Sequence, residues 1–208
     1  MALYKRIHVN STTKVLIWKI EQSLAVLYQG IELTETSKTR INSMKSELHQ
    51  KGFLSIRHLL KEEGYTDTDL YYDAFGKPYL KDGKHISITH SFTFTAIIIS
   101  EEKPVGIDIE KQRDKIVKIA HKFTPFEEYK TIANHDALVS KLTIVWGGKE
   151  SLYKIYGKKK LLFLHHIYID DFKFSDTKTT GQIRYEGRVS NHAIHFLEFE
   201  GFTCVYAY

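Results

Sequence analysis

The sequence predicts an α+β fold, on three observations. Segments of helical periodicity and segments of strand-like alternation both occur in each half of the chain. Each half closes on an apolar strand. Those closing stretches, SFTFTAIIIS (Ser91 to Ser100) and GFTCVYAY (Gly201 to Tyr208), both place a Phe-Thr pair at their head. Two readings of this echo stand: two similar halves joined near Glu101 to Val105, or a chance recurrence of common strand composition.

In chain order, short alternations at the N-terminus precede a helix expected over Lys14 to Leu27. Thr34 to Lys61 reads as helical throughout, with Ile41, Met44, Leu48, Leu54, Leu59 and Leu60 as apolar markers. YYDAFGKPYLKDGKH is turn-rich, punctuated by Gly76, Pro78 and Gly83. Two strands are expected from His85 to Ser100, around His90 and Ser91. VGIDIEKQ (Val105 to Gln112) alternates Val105, Ile107 and Ile109 with Gly106, Asp108 and Glu110, the pattern of a strand with one oily face. After Glu110 the chain turns polar and helical. A further helix is expected from KFTPFEE, where Thr124 can cap and Pro125 suits the first helical position. Ala137 to Tyr156 is a third helix of this half, and Leu161 to Tyr208 is β-like.

The composition is that of a soluble globular chain: 208 residues, 42% hydrophobic and 26% charged, able to bury a sizeable core. A net charge of +5 suits an anionic ligand or partner without choosing among nucleotide, acidic protein and nucleic acid. The single cysteine, Cys204, excludes an intrachain disulfide. MALYKRIHVN lacks the apolar core of a signal peptide, and no apolar run approaches membrane-spanning length. A cytoplasmic address, with no membrane association, is expected.

Three motifs carry chemistry. Asp108 and Glu110 fall on one face of their strand, about 7 Å apart at their Cα atoms. Side-by-side carboxylates repel unless solvent, a basic side chain or a cation lies between them, and an all-oxygen set suits Mg2+. A solvated acidic strand face is the plainer alternative. In WGGKESLYK, Trp146, Glu150 and Lys154 fall on one helix face, and Glu150 before Lys154 is also the favourable order for a surface ion pair. Gly147 and Gly148 each cost about 1 kcal/mol inside a helix. They imply either close approach of a backbone or ligand, or a helix that starts there. GGKES is not a phosphate-binding P-loop, because Thr143 and Glu150 stand where that motif needs glycine and a hydroxyl. In FGKPYL…ISITHS, Lys77, Thr89, His90 and Ser91 are donors suited to phosphate oxygens, although a lone histidine by an apolar strand also serves structure alone. The pairs His165/His166 and His192/His195 lack a ligand cluster and give no transition-metal site.

In order and spacing, GKPYL, ITHS, GIDIE, FTPFEE and WGGKESLYK resemble the 4′-phosphopantetheinyl transferases of the Sfp-like class. The match runs from Gly76 to Lys154, and its most specific part is GIDIE followed by W-x-x-K-E-S-x-x-K. The resemblance implies two similar α+β halves packed around a cleft, here residues 1–104 and 105–208, the second carrying the metal-site carboxylates. It implies transfer of phosphopantetheine from coenzyme A to a serine of an acyl or peptidyl carrier protein, with Mg2+, releasing 3′,5′-ADP. By position, Asp108, Glu110 and Glu150 would hold the metal, and Lys77 and His90 would contact the coenzyme's phosphates. Lys154 would steady charge on the transferring or leaving phosphate. Glu150, or a water it orients, would be the base, with Glu127 the alternative. Thr89 stands where the family usually has serine. For the 3′-phosphate Arg57 is the first candidate, with Lys51 and Arg40 behind it. One chain is expected to suffice. The rival readings are a non-catalytic module that binds coenzyme A or carrier protein, and a basic nucleic-acid-binding domain. The last is disfavoured because the basic residues are scattered among acids.

Overall fold

The computed structural model describes residues 3–130 and 132–208, and their contacts cluster into two compact units, Met1–Lys103 and Pro104–Tyr208. Both mix helices with antiparallel strands, so the fold is α+β.

In the first unit, β1 (Leu3–His8) pairs with β2 (Thr13–Lys19). Helices α1 (Leu24–Tyr28), α2 (Glu35–Asn42) and α3 (Glu47–Glu62) follow. A small hairpin of β3 (Leu70–Tyr72) and β4 (Pro78–Leu80) precedes β5 (His85–Ser91) and β6 (Phe94–Ser100). The sheet order is β1-β2-β6-β5. The core joins Leu54, Leu59 and Leu60 of α3 to Leu16, Trp18, Ile97 and Ile99 of the sheet. Phe53, Ile56 and Leu60 recur at helical spacing, which gives α3 its buried stripe.

The second unit opens on β7 (Gly106–Lys111), then α4 (Lys115–Ile119), the long α5 (His135–Tyr156) and the short α6 (Phe163–His166). It ends with β8 (Ile167–Ile169), β9 (Lys178–Tyr185), β10 (Arg188–Phe199) and β11 (Phe202–Ala207). The order β7-β11-β10-β9-β8 is antiparallel throughout. Leu142, Val145 and Leu152 of α5 pack with Ile169, Ile194 and Val205 of the sheet. Asn134 caps the start of α5 through the Ala137 N–H, and Gly157 ends it at φ 68°. The two sequence segments that echo each other are both interior strands: β6 lies between β2 and β5, and β11 between β7 and β10.

Three expectations are corrected. Lys14 to Leu27 is a strand, β2, followed by the short α1. Residues 15–18 are all buried, and a continuous apolar run in a strand has no period to separate it from a buried helix. The helix expected from Thr34 to Lys61 is broken at Ser43–Ser46, where the Gln50 amide takes the Met44 carbonyl at 3.0 Å. The polar stretch after Glu110 is helical as expected, α4 running on into a 3-10 turn at Ala120–Lys122. KFTPFEE gives a 3-10 turn, Phe126–Glu128, rather than a helix. There the Thr124 hydroxyl donates to the Glu128 carboxylate at 3.1 Å instead of capping backbone N–H groups.

Candidate active site

The second unit's site begins with how closely α5 lies on its sheet. A Cβ on Gly106 would stand 1.9 Å from the Ser151 carbonyl oxygen, so only glycine permits this contact between strand and helix backbone. A Cβ on Gly147 would stand 2.7 Å from Val205 Cγ2, and one on Gly148 would stand 3.1 Å from Ile169 Cδ1. The helix runs unbroken through the glycine pair. Both glycines therefore face side chains of the sheet at close range, Val205 against Gly147 and Ile169 against Gly148, and no helix start or second backbone is involved. Ser151 completes the seam by donating to the Val205 carbonyl at 3.1 Å.

That docking brings Lys154 to the strand. Its ammonium donates to the Ile107 carbonyl at 2.7 Å and to Asp108 Oδ1 at 2.9 Å. Asp108 is 6% exposed. Glu150, half-buried on the preceding turn of α5, is pushed up to about 7. Burial is the largest cause, Asp108 and Glu110 add repulsion, and Lys154 pulls the other way. Asp108, Glu110 and Glu150 thus share one electrostatic neighbourhood. Among the described residues, however, no three His, Cys, Asp or Glu side chains converge as a ready-made metal cluster. The donor set still fits a hard cation: three carboxylates, all oxygen, with mutual repulsion that a divalent ion would relieve.

Glu127 is exposed on its 3-10 turn, whereas the next residue, Glu128, is buried. Lys149, with a fully buried side chain, donates to Glu128 at 3.0 Å, to the Ile167 carbonyl at 2.6 Å and to the Phe163 carbonyl at 3.1 Å. Burial raises the Glu128 carboxyl and lowers the Lys149 ammonium, while their attraction opposes both shifts. Two turns earlier the equally buried Lys141 pairs with Asp171 at 2.7 Å and donates to the Phe172 carbonyl. Neither Glu128 nor Lys149 was singled out from sequence. The available signal was a lysine inside an otherwise apolar helix face, with a doubled Glu upstream.

The candidate phosphate-binding residues lie in the first unit. His90, Arg40 and Arg57 line one cavity of about 320 Å³, together with His49, Phe53 and Tyr72. The His90 ring meets that of His49 edge-on at 5.9 Å. Arg40 lies over Tyr72 at 5.0 Å and near Phe53 at 5.7 Å. Arg57 is only 5% exposed and is engaged in structure. Its guanidinium bonds Asp67 at 2.9 Å and lies 3.5 Å over the Phe53 ring. Asp67 also accepts from the Thr34 amide and hydroxyl and from Ser37. Burial alone would raise Asp67, yet these donors and Arg57 hold it below the ordinary carboxylate value. Lys51 pairs with Glu47 at 2.8 Å on the outside of α3. Thr89 is buried on β5 opposite Ala96. Lys77 is half-buried in the turn before β4, where its amide donates to Asp73 at 2.9 Å. Burial lowers its ammonium, with Asp73 opposing.

Comparison with known proteins bears on this arrangement. The family model described as the 4′-phosphopantetheinyl transferase superfamily matches residues 104–207. The chain is 32% identical over 135 residues to the 4′-phosphopantetheinyl transferase gsp of Aneurinibacillus migulanus, covering 64% of this chain and 54% of that one. It is 28% identical over 123 residues to the 4′-phosphopantetheinyl transferase Sfp of Bacillus subtilis strain 168, covering 55% of this chain and 54% of that one. A further Bacillus subtilis 4′-phosphopantetheinyl transferase is 35% identical over 88 residues, or 40% of this chain and 39% of its own. The chain spans about half the length of the first and second of these relatives and less of the third. With half of the chain matched by the family model, and with strand β7 and helix α5 inside the match, the chain belongs to the 4′-phosphopantetheinyl transferase superfamily and is of its Sfp-like class.

Proposed function

We propose that this chain transfers the 4′-phosphopantetheine arm of coenzyme A to a serine of an apo acyl or peptidyl carrier protein, giving holo carrier and 3′,5′-ADP. One observation carries the reading: Asp108, Glu110 and Glu150 act on one another beside Lys154, on the strand and helix that hold GIDIE and WGGKESLYK. In the transfer the serine oxygen bonds to the β-phosphorus, the bond from that phosphorus to the bridging oxygen breaks, and the serine proton passes to a base. Glu150, or a water it orients, is the proton's destination in this reading, its carboxylate standing in the neighbourhood of Asp108, Glu110 and Lys154. Glu127, exposed on its turn, is the alternative acceptor.

Lys154 holds a fixed positive charge at the carboxylates, where negative charge develops on the leaving phosphate. Asp108, Glu110 and Glu150 would hold Mg2+, which when bound supplies charge neutralisation on the diphosphate. His90 and Lys77 contact the coenzyme's phosphates, with Thr89 a secondary donor. For the 3′-phosphate Arg40 is now preferred, since the Arg57 guanidinium is occupied by Asp67 and the Lys51 ammonium by Glu47. The enzyme works in the cytoplasm as a single chain. Among the described residues no helix is long and apolar enough to cross a membrane.

The test is to incubate the protein with coenzyme A, Mg2+ and a panel of apo carriers, then weigh the carriers. A mass gain of one phosphopantetheine arm, lost in Glu150→Gln, is expected. If no carrier gains mass, or Glu150→Gln matches wild type, the reading fails.

A further inference from the structure

The pair formed by Glu128 and Lys149 is costly for what it contributes to packing. The two side chains are 5% and 0% exposed, and apolar residues of similar volume would fill the same space without taking two charges out of water. What the ions add is direction. Lys149 divides its donors among the Glu128 carboxylate and the carbonyls of Phe163 and Ile167. Glu128 also receives the Thr124 hydroxyl at 3.1 Å. One buried point therefore fixes the 3-10 turn, helix α5, helix α6 and the start of β8.

That point stands one residue from each of the two candidate bases. Glu127 precedes Glu128 on the turn, and Glu150 follows Lys149 on the helix. Consecutive helical residues diverge by about 100°. Lys149 is accordingly turned into the core while Glu150 is close enough to Asp108 and Glu110 to be raised by them. Gly148 lies against Ile169, and Ser151 is bonded to Val205, so α5 has little freedom to shift on its sheet. The 3-10 turn is tied to α5 through Glu128, which accepts from Lys149.

We propose that Glu128 and Lys149 form a positioning pair for the transfer reaction, holding the turn that carries Glu127 in register with the helix that carries Glu150. The inference rests on the transferase reading. It predicts a specific division of effects, because misplacing a reacting group by about 1 Å can cost roughly 10²-fold in rate without weakening ligand binding. Either single substitution leaves a buried charge unpaired and is expected to unfold the unit or nearly so. The informative variant is the double replacement Glu128→Gln with Lys149→Met, which removes both charges and keeps the volume.

The experiment measures thermal stability, kcat, and KM for coenzyme A, using an apo carrier protein as acceptor. The expected result is a double variant that melts near wild type, keeps its KM for coenzyme A and loses kcat by roughly tenfold to a hundredfold. Wild-type kcat in a folded double variant would overturn the inference and assign the pair to stability alone. A raised KM with unchanged kcat would overturn it equally. Should the double variant fail to fold, Thr124→Val removes one donor to Glu128 at constant shape. A several-fold fall in kcat at constant KM supports the inference, and unchanged kcat sinks it. If wild type itself modifies no carrier, the transferase reading fails and this inference falls with it.

Discussion

Replacing Glu150 with glutamine isolates the electrostatics of the carboxylate cluster. In the metal-free protein the Glu150 carboxyl is raised from its ordinary 4.5 to about 7, by burial first and by Asp108 and Glu110 in addition, against the pull of Lys154. In the unfolded chain it returns to 4.5. Below that pH both states hold the proton and Glu150 adds no pH-dependent term. Between the two values the folded state keeps a proton that the unfolded state has released. Stability therefore falls as pH rises, by at most about 1.4 kcal/mol per pH unit. Above pH 7 the whole penalty is present, and the difference between the two values corresponds to about 3 kcal/mol. Glutamine mimics the protonated form at every pH. Urea melts in a chelator, at pH about 4 and about 8, should show the two proteins equal at the lower pH and the variant more stable by up to about 3 kcal/mol at the higher. Adding Mg2+ at the higher pH should raise the stability of wild type more than that of the variant. A variant less stable than wild type at the higher pH, or a difference that ignores pH, would refute the picture of crowded carboxylates.

Other consequences are more local. Gly106→Ala places a methyl group 1.9 Å from the Ser151 carbonyl oxygen, so α5 must lift from β7; a fall of several kcal/mol in stability, read by thermal melting, is expected. Arg57→Met strands Asp67 in the core and should cost about 3–5 kcal/mol in a denaturant titration. Asp67 is held below the ordinary carboxylate value, so its contribution is present above the unfolded pKa and lost as pH falls through the lowered folded one. Acid should accordingly narrow the gap between wild type and Arg57→Met. Arg40→Ala should leave the melting temperature nearly unchanged yet raise KM for coenzyme A about tenfold, with little effect on the 3′-dephospho form. An equal effect on both forms would remove Arg40 from the 3′-phosphate.

Part of this could be read from the sequence because motif order records chain order. GIDIE lies on a strand and WGGKESLYK on a helix, where alternation and helical spacing put them. That Asp108 and Glu150 influence one another is a tertiary fact, and no local period encodes it. The run at residues 15–18 carries no strand period, because residues buried on both faces are apolar without alternation. Arg57 is the first candidate for the 3′-phosphate by its charge, yet Phe53, Ile56, Arg57 and Leu60 follow the helical stripe, and Arg57 sits squarely within it. Charge prompted one reading where position supported the other. The glycine pair left two possibilities open, and only the contact with Val205 and Ile169 separates them. FTPFEE offered two adjacent acids, and nothing in the sequence distinguishes the exposed Glu127 from the buried Glu128.

The seam at Gly106 also bears on how such a protein can be altered. Helix α5 meets β7 through main-chain atoms, with no side chain of either residue in between. Exchange of larger and smaller apolar residues therefore has nothing to grip at this point, where polypeptide thickness sets the spacing between strand and helix. An engineer seeking a different coenzyme should leave this junction untouched and vary the cavity around His90. There side chains set the dimensions, so a substitution changes the cavity without touching the main-chain contact at Gly106.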